Sequence, residues 1–136
     1  MADTQPFATM TLPREPDVYA PDGSQVRLLL GLAGGGMAHF RLEPGQTSIA
    51  VAHRTVEELW YVVAGAGEIW RRQAGREETT VLHAGACVSI PLGTGFQFRC
   101  TGDVAFEAVA VTMPPWPGPD EAYAVTGPWQ PQVKTA

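Results

Sequence analysis

The sequence has little basic charge and no long apolar run. Its nine lysine and arginine residues are outnumbered by fourteen aspartates and glutamates, which gives a net charge of −5. A net negative charge argues against nucleic acid or an anionic membrane surface as a partner. No apolar run reaches the roughly 18 residues that a transmembrane helix requires. We therefore expect neither nucleic-acid binding nor membrane insertion.

The chain is also poor in cysteine, and we expect its first residues not to act as a secretory leader. Met1 to Pro6 contains no basic region followed by an apolar core, so it does not resemble a secretory signal peptide. We expect a cytoplasmic protein, in which Cys87 and Cys100 are reduced thiols. The alternative is a redox disulfide, if the strands joined by residues 91–95 place the two thiols opposite each other.

Glycine and proline, by contrast, are abundant, with fifteen and twelve residues. Such a composition favours turns and short strands over long helices. We count about nine short strands, separated by turn signals at intervals of about eight to twelve residues, and no convincing helix. At 136 residues the chain is large enough for one domain with a real core. The pattern predicts an all-β barrel or sandwich.

Composition divides the chain into three parts. Residues 1–24 are polar and proline-rich and are predicted to form an N-terminal arm, residues 25–113 a barrel, and residues 114–136 a tail. The tail contains Trp116 and Trp129, so we expect it to pack on the barrel or on a partner subunit. The strand from Val26 to Leu32 is apolar at nearly every position, which predicts burial on both faces.

The stretch from Gly45 to Gly67 carries the candidate chemistry. A strand ends at His53, a short polar break follows, and a second strand runs from Glu58 to Ala64. Strand pairing can bring His53 and Glu58 together at one end of a sheet. Ionisable side chains within an otherwise apolar run make these two residues the candidate catalytic pair.

The spacing around this pair resembles the first motif of the cupin superfamily, which is Gly, five residues, His-x-His, three or four residues, Glu, six residues, Gly. Gly45, His53, Glu58 and Gly65 fit it, and Val51 replaces the first histidine. The second motif is Gly, five residues, Pro-x-Gly, two residues, His, three residues, Asn. Its matching residues are Gly85 and Pro91-Leu92-Gly93, whereas Phe96 and Cys100 replace the histidine and the asparagine.

The resemblance covers roughly residues 37–112 and implies a cupin-type double-stranded β-helix, or jelly-roll barrel, with extended N- and C-terminal arms. Cupin metal sites typically use three histidines and the glutamate, of which this chain keeps only His53 and Glu58. Two protein ligands are too few for a tight divalent-metal site. We therefore expect no cofactor unless His39 or His83 supplies a third donor.

If the chain follows the cupin pattern, His53 and Glu58 lie at the mouth of an aromatic, apolar cavity. Strand alternation places Trp60 on the same side as Glu58, and the resemblance places Phe96, Phe98 and Val51 inside as well. Burial raises the pKa of a carboxyl group and an adjacent imidazolium lowers it, so such a pair can act as acid and base near neutral pH. The predicted ligand-binding residues are Trp60, Phe96, Phe98, Arg41 and Val51.

The orientation of the neighbouring charges stays open. Arg41 and His39 share one face of their strand, and they could bind an anionic group if that face points inward. Glu107 is either on the outer face of the last strand or functional.

Three functional hypotheses follow. The first is a small-molecule-binding cupin that uses His53 and Glu58 for metal-independent isomerisation, cyclisation or dehydration. The second is a metal-dependent dioxygenase or lyase that recruits a further ligand, and the third is a non-catalytic module that binds a metabolite or a partner. His53 and Glu58 could also be the relic of a lost metal site that only hydrogen-bond each other. Small cupins commonly pair through N-terminal strands and edge sheets, and we expect a homodimer.

Overall fold

The computed structural model describes residues 4–133, which form strands and one short 3-10 turn at Pro119–Glu121. The strands are β1 (Val18–Tyr19), β2 (Gln25–Leu32), β3 (Gly35–Leu42), β4 (Val51–His53), β5 (Glu57–Ala64), β6 (Ala66–Gln73), β7 (Arg76–His83), β8 (Cys87–Ile90), β9 (Gly95–Cys100), β10 (Phe106–Met113) and β11 (Ala122–Ala124).

The strands form two antiparallel sheets. The six-stranded sheet has the order β1-β2-β3-β10-β5-β8, and the five-stranded sheet has the order β11-β4-β9-β6-β7. Neighbours that are distant in sequence, such as β3 and β10, are the crossovers expected of a jelly roll. The architecture confirms the prediction of an all-β jelly-roll barrel. No helix in residues 4–133 is long and apolar enough to cross a membrane.

The core lies between the inner faces of the two sheets. Strand β5 shows how the sequence builds it: Glu58, Trp60 and Val62 are buried, whereas the residues between them are exposed. This period of two is the signature of a strand with one buried face. The largest fully buried apolar side chains are Phe96, Phe98, Phe106, Leu42, Ile69, Leu82 and Ile90.

Two strands were not predicted. β1 lies in the region assigned to the N-terminal arm and β11 in the region assigned to the tail. With two and three residues, they are too short to show a period of two.

The prediction that Val26 to Leu32 is buried on both faces is wrong. In β2 the side chains of Leu28, Leu30 and Leu32 are 53%, 41% and 69% exposed. The reason is position in the sheet, because β2 pairs fully with β3 on one side but with only the two residues of β1 on the other. A register shift between Leu28 and Gly31 also interrupts the pairing with β3.

The segments at both ends contact the sheets of the same chain. Before β1, the backbone carbonyls of Pro13 and Arg14 accept hydrogen bonds from the Arg27 guanidinium. After β10, strand β11 pairs with β4. Further along, the guanidinium of Arg99 lies 4.1 Å from the centre of the Trp129 ring. The terminal segments therefore cover outer surfaces of the barrel.

The two cysteines do not meet. Cys87 is exposed on β8 in the six-stranded sheet, and Cys100 is buried on β9 in the five-stranded sheet. The alternative of a disulfide required β8 and β9 to pair with each other. They belong to different sheets, so both thiols are free.

Candidate functional site

The structure brings His53 and Glu58 together at one end of the barrel. β4 ends at His53 and β5 begins at Glu57, so residues 54–56 form a short break between the two strands. His53 is the last residue before this break, and Glu58 is the second residue of β5. Both point inward and are nearly buried, with 6% and 9% of their surfaces exposed. His53 Nδ1 lies 3.3 Å from Oε2 of Glu58. The two predicted catalytic residues are therefore in direct contact.

The break between these strands is held by Glu121, which the sequence analysis did not single out. Its carboxylate accepts hydrogen bonds from the backbone N–H of Thr55 at 2.7 Å and of Val56 at 2.9 Å, and from the Thr55 hydroxyl at 2.6 Å. Burial raises the pKa of Glu121, but the hydrogen bonds from Thr55 and Val56 outweigh it and hold the pKa below its ordinary value. The carboxylate therefore stays ionised and fixes the loop that carries His53.

The contact between His53 and Glu58 leaves hydrogen-bonding capacity unused. Although Nδ1 is close to the carboxylate, the approach does not have hydrogen-bond geometry, and Nδ1 has no partner among the described residues. The same holds for the buried indole N–H of Trp60. Buried polar atoms are nearly always hydrogen-bonded. Two unpartnered atoms beside one carboxyl group therefore indicate a place for water or for a polar group of a ligand.

Burial shifts the two pKa values in opposite directions. The pKa of Glu58 is raised to about 8, mainly by burial and to a smaller extent by the charge of Asp22. The indole N–H of Trp60 lies near the carboxyl group and offsets part of the shift, although it does not reach hydrogen-bond geometry. Burial lowers the pKa of His53 to about 4, against a smaller opposing effect of Glu121. Near neutral pH the pair is therefore an uncharged carboxylic acid beside an uncharged imidazole.

Aromatic rings surround the imidazole of His53. The ring of Phe96 lies 5.3 Å away, centre to centre, and the ring of Trp116 lies 5.0 Å away, both edge to face. Phe96 in turn packs against Trp60 at 5.7 Å. Trp116 comes from the C-terminal tail, and its only sequence signal was the abundance of tryptophan and proline there. An apolar wall of this kind explains the strong effect of burial on both pKa values.

Four of the predicted ligand-binding residues are packed into the core. Trp60 is 3% exposed, Phe96 1%, Phe98 0% and Val51 3%. Phe98 lies among other aromatic rings, 4.9 Å from Trp60 and 5.4 Å from Phe40. A side chain that lines a ligand-sized cavity exposes more of its surface than this. The interior around these four residues is therefore filled with side chains, with its polar groups at one end, and a ligand contact by any of the four stays a prediction.

Arg41 lies outside the barrel. Phe40 and Leu42 occupy the buried face of β3, so alternation turns Arg41 outward, where its Nε donates to Glu43 at 2.9 Å. His39 shares that outer face and is hydrogen-bonded to Glu107 at 2.9 Å. The sequence left the orientation of Arg41 open, and the structure places its side chain on the outer face, away from the interior in which a ligand contact was predicted.

The residues around His53 and Glu58 do not fit a metal ion. Within residues 4–133 no three or more His, Cys, Asp or Glu side chains are grouped as metal ligands. Val51 and Phe96, at the two cupin histidine positions, are apolar. His39 lies on the outer face, and His83 is exposed on β7. Two donors are fewer than the three or four that such sites use.

Several solved structures of differently named proteins have a similar fold. The capsular polysaccharide assembling protein CapF from Staphylococcus aureus is 21% identical with a TM-score of 0.64, over 76% of this chain and 32% of that one. Oxalate decarboxylase from Bacillus subtilis is 17% identical with a TM-score of 0.67, over 82% and 30%. A domain of CENP-C from Drosophila melanogaster is 17% identical with a TM-score of 0.61, over 67% of each chain.

At these identities the likeness shows the fold alone, and the chain spans about a third of the length of CapF and of oxalate decarboxylase. A comparison with curated protein sequences finds no match. The family model of the cupin domain matches residues 38–112, which is more than half of the chain and agrees with the resemblance in the two motifs. The two-sheet barrel, its turn glycines and this match together show that the chain belongs to the cupin family.

Proposed function

We propose that this cupin binds a small organic molecule at the His53–Glu58 pair and uses the pair for metal-independent acid/base chemistry, such as isomerisation, cyclisation or dehydration. One observation carries the proposal: a carboxyl and an imidazole group are in contact at 3.3 Å inside an aromatic, nearly buried site. Pairs of titratable groups whose environments push their pKa values apart are typical of acid/base sites.

The protonation states define the direction of proton transfer. At neutral pH the His53 imidazole accepts a proton from the substrate, while the Glu58 carboxyl group donates its proton to a second substrate atom. The resulting imidazolium and carboxylate lie side by side and stabilise each other. When the proton donated by Glu58 stays on the substrate skeleton the result is an isomer, because one proton has been removed and one added at different atoms. When the donated proton leaves with a hydroxyl group as water, the result is dehydration. Return of the proton from His53 to Glu58 restores the starting state.

The surroundings favour an uncharged substrate of small size. No lysine or arginine is among the groups that shift the pKa of His53 or Glu58. Placing a net charge in such an apolar site without a partner is unfavourable. Polar atoms of the substrate can instead bond to the unpartnered His53 Nδ1 and Trp60 N–H.

The second candidate is a non-catalytic module that binds a metabolite. The filled interior favours it, because Phe96 and Phe98 leave little room for a substrate to change shape. Binding and catalysis make different predictions for the two polar residues, so one experiment separates the candidates.

The test combines a binding screen with hydrogen exchange. A library of small ketones, aldehydes, hydroxy compounds and lactones is screened by thermal shift, and each hit is incubated with the protein in D₂O and followed by proton NMR. We expect deuterium incorporation at carbon with wild-type protein, and a reduction of about 100-fold or more in His53→Ala and Glu58→Gln. Glu57→Gln is the matched control, since Glu57 is the exposed neighbour of Glu58.

Two results would contradict the proposal. Hits that bind equally well to all three variants and never exchange would identify a binding module instead. About one equivalent of metal per chain, retained after dialysis of untagged protein and measured by mass spectrometry, would show that a metal ligand set exists.

The proposal also includes the expected cytoplasmic location and homodimer. The face of the six-stranded sheet that points away from the core carries an outer apolar patch, which we define as Met37, Leu59, Tyr61 and Val63. Their side chains are 44%, 46%, 53% and 45% exposed. Val109 and Val111 of β10 lie between them in the sheet, so the patch is continuous. A contiguous exposed apolar face of this kind supports pairing with a second copy.

A further inference from the structure

The candidate site is closed in the structure. His53 and Glu58 expose only 6% and 9% of their surfaces, and the side chains behind them are packed still more tightly. A molecule that reaches the pair must therefore enter from the end of the barrel. The tail residue packed against His53 at that end is Trp116.

The backbone that carries Trp116 is weakly held. We define residues 114–118 as the cover segment; it reads Pro-Pro-Trp-Pro-Gly, and residues 114–117 are exposed. Among the described residues its one hydrogen bond is the Gly118 carbonyl accepting from the N–H of Glu121. Gly118 has a φ of 150°, a conformation that favours glycine, and no other atom packs within 4 Å of the place of a side chain.

The chain beyond the cover segment is firmly attached. Residues 122–124 pair with β4, and the Arg54 side chain donates to the carbonyl of Asp120 at 3.0 Å. The Glu121 carboxylate adds its three hydrogen bonds to Thr55 and Val56. On its other side the cover segment follows β10, a central strand of the six-stranded sheet. The cover segment thus has few hydrogen bonds of its own and connects two parts of the chain that are firmly bonded to the sheets.

We infer that the cover segment is a movable gate over the His53–Glu58 site and that Trp116 is its specificity-determining residue. Opening costs the edge-to-face contact between the Trp116 and His53 rings but no strand pairing. Low-stability segments next to a rigid frame are the ones that open locally in native proteins.

The gate also deepens the proposed function by defining a ligand class, and this part rests on that proposal. The space that Trp116 vacates is bounded by the His53 ring, which itself packs against Phe96. The ligand is a flat molecule with apolar faces that replaces the indole, and its polar edge reaches Nδ1 of His53 and the N–H of Trp60.

The test needs no ligand, because the chain contains its own reference histidines. Diethyl pyrocarbonate modifies accessible imidazole groups, and peptide mass spectrometry reports the rate at each site. His83 is exposed, His53 lies under the gate, and His39 is buried on the outer face of the other sheet. In wild-type protein we expect fast modification of His83 and slow modification of His53 and His39. In Trp116→Ala the rate at His53 should rise by about tenfold or more, while His39 and His83 keep their rates.

Two further variants make the result specific. Trp129→Ala removes another tail tryptophan, which packs on Arg99, and should leave His53 protected. The double variant Pro115→Gly, Pro117→Gly keeps Trp116 but loosens its backbone, and should raise the rate at His53 by severalfold. If Trp116→Ala unfolds the protein, the modification rate of His39 rises as well. In that case the double proline variant tests whether the cover segment protects His53.

The gate would be overturned if wild-type His53 reacts as fast as His83. It would also be overturned if neither the double variant nor a folded Trp116→Ala changes the rate at His53 by more than twofold. Failure of the proposed function is a separate result. If the variants raise the modification rate of His53 as expected but no library compound binds or exchanges, the acid/base proposal is wrong and the gate is still supported.

Discussion

At the scale of single residues, Glu58 is the side chain whose chemistry depends most on burial. Its folded pKa of about 8 lies above its ordinary 4.5, whereas that of His53, about 4, lies below its ordinary 6.5. The stability that Glu58 contributes is fully present below pH 4.5 and is lost as the pH rises through 8. The contribution of His53 is present above pH 6.5 and is lost as the pH falls through 4. The two oppose each other in between, and above pH 6.5 the Glu58 effect remains.

We predict that the free energy of unfolding falls between pH 6.5 and pH 8, because Glu58 is ionised in the unfolded chain but must take up a proton to be buried in the folded protein. With about 1.4 kcal/mol per pKa unit as the upper limit, the loss should be about 1 to 2 kcal/mol. Glu58→Gln keeps the shape of the side chain without its titration and should remove this loss. Urea unfolding of both proteins at the two pH values measures the difference.

Glu57→Gln serves as the control for this prediction, since Glu57 is exposed on the opposite face of β5. It should retain the full pH dependence. A Glu58→Gln protein that loses as much stability as the wild type between the two pH values would show that Glu58 is not a buried acid.

At the scale of secondary-structure elements, the tight turn between β5 and β6 sets where Glu58 and the rest of β5 lie. Gly65 has a φ of 80°, and a side chain there would overlap the backbone carbonyl of Ala105. Gly75 in the β6–β7 turn has nearly the same φ, 81°, but has no atom within 4 Å of a side-chain position. A substitution at Gly75 therefore introduces backbone strain alone, whereas a substitution at Gly65 introduces the same strain together with a steric overlap.

Gly75→Ala should therefore lower the free energy of unfolding by about 1 kcal/mol through its left-handed conformation alone. Gly65→Ala should cost about 3 kcal/mol or more, because the β5–β6 turn must also move away from Ala105. Urea titration of the two variants side by side gives both values. Equal losses would mean that the close approach to Ala105 relaxes without cost.

At the scale of the whole molecule, the two sheets differ in what covers their outer faces. The five-stranded sheet is contacted by the tail, with Trp129 against Arg99 and Gln97. The six-stranded sheet is contacted by the N-terminal segment along β2, but the outer apolar patch on β3 and β5 stays exposed. The proposed dimer would cover this remaining face.

Light scattering after size-exclusion chromatography tests the dimer. We predict a mass of about twice the 14.6 kDa of one chain for the wild type, and the mass of a single chain for Tyr61→Asp, since a buried unpaired carboxylate at an interface is unfavourable. Val81→Asp is the matched control, because Val81 is 71% exposed but lies on the other sheet. Loss of the dimer in Val81→Asp instead would move the interface to the five-stranded sheet.

The local features of this protein could be predicted from short stretches of its sequence. Turn glycines and prolines, together with the period of two along β5, are readable over a few residues, and they indicated an all-β barrel or sandwich. The resemblance of the motif spacing to the cupin superfamily added the jelly-roll topology. The motif spacing was enough to single out His53 and Glu58. The burial of β2 was misjudged because an apolar run does not state whether its strand has neighbours on both sides.

The surroundings of His53 and Glu58 depend on the tertiary structure. The hydrogen bond from the Thr55 hydroxyl to the Glu121 carboxylate joins residues 66 positions apart, and the contact of Trp116 with His53 likewise joins distant parts of the chain. The outward turn of Arg41 depends on which face of β3 the core covers. Packing also filled the interior with aromatic rings, which moved the candidate site from a cavity to a covered end of the barrel. Such contacts depend on how the sheets fold over each other, and no local pattern in the sequence encodes that.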